Sequence, residues 1–149
     1  MNYEKLKPEI QNDPLKLGYA GMTDEDVAGA LNVINRIITR RASVTKYAFV
    51  DLLGLPRAGE LWAKIQTLAE ANTEAAMALR LLDADEGIDA SMLASLLPRA
   101  KTALGLRDNE IAALTTQTVS RAEEIGIEEV THAHIRSARD QIQVGVSYE

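Results

Sequence analysis

A chain of 149 residues, 46% of them hydrophobic, can bury a core. Aromatic residues supply only 4%, so Ala, Leu and Ile must fill that core, which favours closely packed helices over an aromatic-rich sandwich. A net charge of -6 argues against broad affinity for nucleic acid or anionic membranes, and the lack of cysteine excludes a disulfide framework or a thiolate metal site.

The opening residues MNYEKLKPEIQNDP hold no apolar run of the secretory type, and no stretch approaches the roughly 18 apolar residues of a membrane-spanning helix. A protein made and used in the cytoplasm, or built into an assembly there, is the expectation. Residues 3–12 suit a short helix with Leu6 and Ile10 on one face, ended by Asp13-Pro14 because proline disfavours helical geometry in the residue before it. Gly18 and Gly21 then frame a turn around Tyr19-Ala20. Thr23 suits an N-cap, with Asp24, Glu25 and Asp26 on the positive end of the helix dipole and Val27, Ala30, Leu31 and Ile34 following at helical spacing.

Residues 35–47, NRIITRRASVTKY, are open to three readings: loop, extended segment or continued helix. Ser43 is a candidate cap for a helix carrying Val44, Tyr47, Ala48, Val50, Leu52 and Leu53, stopped by Gly54 and Pro56. Arg57 to about Ala71 places Leu61, Trp62, Ile65 and Leu68 on one stripe, and Thr73 is a candidate cap for the next helix. DADEGID breaks the pattern before a helix over Asp89–Leu97, which Pro98 either kinks or replaces with a new start, and Gly105 reads as a stop. Asp108 is expected to cap a long helix through Ile111, Leu114, Val119, Ala122 and Ile125, closed by Gly126. Thr131 caps a last helix with Ile135, Ala138 and Ile142, and residues 143–149 read as a tail.

Few motifs carry chemistry. His132 and His134 are two apart, a spacing that splays them on a helix where one-face metal binding wants four. Counted from Asp83, DADEGID has Gly87 at the fifth position and Ala94 at the twelfth, whereas a calcium loop wants glycine sixth and a carboxylate twelfth. Ala122, Gly126, Thr131 and Ile135 follow a helix-turn-helix spacing, but Glu123, Glu124, Glu128 and Glu129 oppose DNA there, with only Arg136 and Arg139 to offset them. Arg36, Arg40, Arg41 and Lys46 form the one local basic cluster, suited to an acidic protein neighbour or to a solvated face. No nucleophile elbow, phosphate loop or dinucleotide fingerprint occurs, so an enzyme is not expected.

DPLKLGYAGMTDEDVAGALN (Asp13–Asn32) and SRAEEIGIEEVTHAHIRSA (Ser120–Ala138) together resemble a group of small tailed-bacteriophage proteins. The shared positions are Asp13, Pro14, Leu15, Gly18, Tyr19, Gly21, Met22, Thr23, Asp24, Leu31 and Asn32, with the SRAEE-IG segment near the C-terminus. The resemblance covers the first thirty or so residues and the last third, and leaves residues 36–105 unmatched. It implies a phage origin among virion components and carries no catalytic residues with it.

The expectation is therefore an all-α chain, one compact domain over 1–149 with six to seven short helices, an N-terminal arm and turn over 1–22, and the tail over 143–149. Its expected role is a non-enzymatic structural subunit repeated in the virion, in the tail, fibre or neck region, docking to other phage structural proteins as a homo-oligomer or symmetric multicopy assembly. Neither membrane nor nucleic acid is an expected partner, and no cofactor or metal is expected. Tyr19, Met22, Arg36, Arg40, Arg41 and Lys46 are the docking candidates. The alternative is a non-virion assembly chaperone, or a small nucleic-acid-binding regulator using the C-terminal helix pair.

Overall fold

The computed structural model describes residues 1–147. Along them run α1 (Tyr3–Asn12), a 3₁₀ turn (Tyr19–Gly21), α2 (Asp24–Asn32), β1 (Ile34–Thr39), α3 (Lys46–Leu53), α4 (Leu55–Ala71), α5 (Thr73–Asp83), α6 (Ala90–Leu104), α7 (Asp108–Thr115), β2 (Thr116–Ser120), α8 (Arg121–Glu124) and α9 (His132–Ser147). The fold is mostly helical but not all-α, because β1 and β2 pair as a two-stranded sheet. β2 lies where the apolar spacing predicts continuous helix. Thr115-Thr116-Gln117-Thr118-Val119 is dense in β-branched residues, which pack well on a pleated strand and lose side-chain freedom in a helix. At the C-terminus the tail expected over 143–149 is helical through Ser147, and its last two residues lie outside the described ones.

Where the sequence suggests one domain, the chain groups into two compact units, Met1–Ile38 with Thr118 onward, and Thr39–Gln117. The first unit contains both Asp13–Asn32 and Ser120–Ala138, and they share one core. Leu6, Tyr19, Val27, Ala28 and Leu31 from the N-terminal part pack with Ala122, Ile127, Val130, Ile135 and Ala138. The turn before α2 is built by Asp13, whose carboxylate accepts from the backbone N–H groups of Leu17 and Gly18 at 2.7 Å and of Tyr19 at 3.3 Å. Desolvation works to raise the Asp13 carboxyl, but those three donors outweigh it and hold it below its usual range. Gly18 takes φ +86°, a left-handed conformation that glycine adopts without steric cost. Thr23 caps α2 by accepting from the Asp26 N–H at 3.2 Å. Gly126, at φ +86°, ends α8 in a left-handed turn in which the Ile127 N–H reaches the Ala122 carbonyl at 2.9 Å.

The second unit packs α3, α4, α5, α6 and α7 around Phe49, Leu61, Ile65, Leu82, Leu93 and Leu104. Trp62 meets Phe49 edge to face at 6.4 Å, a favourable geometry for the ring quadrupoles. Two helix entries are tied together just before α3 and α6, where Val44 and Ile88 exchange backbone hydrogen bonds of 2.7 and 2.9 Å. Gly87 sits under that bridge at φ +75°. Three caps fall one or two residues from the expected positions: Thr45 rather than Ser43 caps α3, Asn72 rather than Thr73 caps α5, and Arg107 rather than Asp108 precedes α7. In the last case Glu110 reaches back to the Arg107 N–H at 2.9 Å, satisfying an amide that the helix leaves without a partner. Pro98 is accommodated inside α6, and Gly105 closes that helix in a left-handed conformation.

Candidate functional site

Tyr19 is fully buried, so its side chain is a core group rather than a docking one. Its hydroxyl donates to Glu9 Oε1 at 3.2 Å, and burial together with the Glu9 carboxylate holds the phenol well above its usual range. Glu9 is itself only 4% exposed and receives both arms of Arg121, at 2.8 and 2.9 Å. Arg121 also donates to Glu124 at 2.5 Å, and Arg36 closes the chain with bonds of 2.9 and 3.3 Å to the same carboxylate. The guanidinium of Arg36 first, then that of Arg121, hold the Glu124 carboxyl below its usual range. Tyr19, Glu9, Arg121, Glu124 and Arg36 thus form one connected hydrogen-bond and ion-pair network within the first unit.

The other docking candidates divide in the same way. Met22 is half-buried against the core of the first unit. In the second unit, Arg40 donates to the Ala113 carbonyl at 3.1 Å and Lys46 pairs with Asp83 at 3.3 Å, while Arg41 is exposed. The basic cluster of the sequence is therefore divided between two units and largely engaged by each unit's own acceptors. Nothing local signals this, since Arg36 meets a carboxylate 88 positions away and Lys46 one 37 positions away.

The helix-turn-helix spacing is realised differently from the DNA-reading form. α8 is a single turn, and Arg139 on α9 is committed to Asp24 at 2.7 Å and to the carbonyls of Tyr19 and Met22 at 2.7 and 3.0 Å. His134 accepts from the Thr131 N–H at 3.1 Å. Asp89 of DADEGID caps α6, and among the described residues no cluster of acidic and histidine side chains is arranged around a cation.

Two surfaces remain. In the second unit a cleft of about 390 Å³ lies between α4, α5 and α6, lined by Ile65, Leu68, Ala78, Leu93 and Leu97. Its polar groups are already employed: Asn72 caps α5, and Glu74 pairs with Arg99 at 2.7 Å. Small-molecule pockets combine such apolar walls with polar groups aimed inward, and here those groups serve the protein itself. β1, which lies in the first unit up to Ile38, is the more pointed feature. Ile34 is 70% and Ile37 72% exposed, with Val33 before them at 50%. Among the described residues β1 pairs only with β2, so its second edge is not covered by another strand. Sequence pattern had left residues 35–47 open, because helix, strand and loop readings all tolerate two isoleucines beside three arginines. A strand with an open edge and aliphatic side chains on both faces is suited to pairing with another strand. Compared with known proteins, the chain matches no family model, none of the curated proteins and none of the solved structures.

Proposed function

We propose that this chain is a non-enzymatic structural subunit of a tailed-bacteriophage particle, present in several copies in the tail, fibre or neck region and acting by docking to other proteins. The phage setting rests on the resemblance of Asp13–Asn32 and Ser120–Ala138. The mode of action rests on one observation, the exposed Ile34 and Ile37 on a strand whose outer edge is unpaired. Such an edge is a liability in an isolated protein and a resource in an assembly, where strand addition supplies hydrogen bonds and buries the aliphatic groups. The test is mass spectrometry of washed particles from a phage encoding the chain. Stoichiometric recovery that falls sharply for Ile34→Lys and Ile37→Lys variants supports the reading, and absence from washed particles overturns it.

A further inference from the structure

We infer that the first occupant of the β1 edge is the β1 strand of a second copy of this chain, joined across a twofold axis centred on Ile37. The inference rests on β1 as the docking element and names its partner.

On a strand, alternate residues share a face, so Asn35, Ile37 and Thr39 lie on one side and Ile34, Arg36 and Ile38 on the other. The first side is exposed throughout, whereas Arg36 and Ile38 are partly covered. An antiparallel pair related by a twofold axis through the sheet sets residues of the same face opposite one another. The axis must then pass through a residue that faces its own counterpart. Centred on Arg36, it would set guanidinium against guanidinium, and like charges directly opposite are destabilising. Centred on Ile37, it sets aliphatic against aliphatic on the exposed face, flanked on both sides by Asn35 opposite Thr39, a pair of matched polar groups. On the other face Arg36 then lies opposite Ile38, where its methylene stem covers the aliphatic group. Its charge remains bonded to Glu124 of its own copy. Arg36 is the one charged residue within β1, so in this register no like charges of the two strands lie directly opposite one another. The product is a four-stranded sheet in the order β2, β1, β1, β2.

Because the chain has no cysteine, single substitutions report on this register without background. Residues facing each other across an antiparallel pair have Cα atoms about 4.5 or 5.5 Å apart, within disulfide reach. Ile37→Cys is therefore expected to give an oxidised species at twice the 16.2 kDa chain mass. Asn35→Cys lies four residues out of register with its own counterpart, about 13 Å along the strand, and is expected to remain a single chain. Sedimentation of the unmodified chain is expected to show a dimer, with the dissociation constant rising more than about tenfold in Ile37→Lys while the helical circular dichroism is unchanged. Equal cross-linking of both cysteine variants, or an unmodified chain that sediments as a monomer, overturns the inference. A monomer in solution whose incorporation into particles still depends on Ile37 would leave the docking function standing and assign the edge to a different protein.

Discussion

Asn32 and Val130, 98 positions apart, exchange two hydrogen bonds: the Asn32 amide donates to the Val130 carbonyl at 2.7 Å, and the Val130 N–H donates to Asn32 Oδ1 at 2.9 Å. The asparagine side chain imitates a strand neighbour and satisfies both backbone groups of Val130, whose side chain is buried. It also lies at the end of α2 and joins that helix to the segment before α9. Asn32→Ala leaves both Val130 groups without these partners and is expected to cost roughly 1–3 kcal/mol. A urea titration followed by circular dichroism checks it; an unchanged midpoint would mean that water replaces the side chain fully.

Tyr19 separates a packing contribution from a polar one. Tyr19→Phe keeps the ring and removes one hydrogen bond, while Glu9 keeps its bidentate partner Arg121, so a loss of about 1 kcal/mol is expected. Tyr19→Ala empties a fully buried site and should cost about 3–5 kcal/mol, in line with other aromatic truncations in cores. Thermal melts of the two variants decide the matter. A Tyr19→Ala protein that melts like the parent would contradict the core assignment.

What the sequence discloses and what it hides divide along the range of the interactions involved. The Thr23 cap, the glycine stops at Gly105 and Gly126 and the Thr131 cap are legible because each involves residues within one turn of itself. Ser43, Thr73 and Asp108 are chemically adequate caps too, and the choice of Thr45, Asn72 and Arg107 instead depends on where each helix meets its neighbours. β2 escapes notice because Ile111, Leu114, Val119 and Ala122 fit a helical stripe loosely, and the strand owes its existence to pairing with β1 about 80 residues earlier. The candidate site was hidden for a related reason. Arg36 draws the eye as charge, whereas its pairing with Glu124 removes that charge from play and leaves the flanking isoleucines as the exposed feature.

Gly87 is where backbone geometry admits little else. A side chain there would combine φ +75° with a Cβ placed 2.5 Å from the Val44 carbonyl oxygen and 2.8 Å from its carbon, both backbone atoms that cannot swing aside. Gly87→Ala must therefore push apart the Val44–Ile88 bridge that joins the entries of α3 and α6. A loss above about 2 kcal/mol is expected from strain and broken bonds together. Trp62, the single tryptophan, lies in the second unit and reports its unfolding by fluorescence. A variant with the parental midpoint would show that the loop relaxes without cost.

The acid limb of the second unit's stability is expected to follow Glu110. This carboxylate is 6% exposed and receives Arg57 Nε at 2.7 Å and a second Arg57 nitrogen at 2.9 Å. The Arg57 hydrogen bonds are the leading cause of its shift; burial opposes them, and the Arg107 N–H assists, so that the carboxyl is lowered from 4.5 to about 2. Because the folded value lies below the unfolded one, the unfolded chain takes up the proton first as pH falls. The contribution is therefore complete above the unfolded value and is lost progressively between 4.5 and about 2. Urea midpoints read from Trp62 fluorescence should fall across that window in the parent chain. Glu110→Gln should begin from a lower midpoint at neutral pH, since it loses a charge-assisted bond worth about 2 kcal/mol, and then decline less steeply. Parallel declines in parent and variant would move the source of acid sensitivity to other carboxylates of the unit.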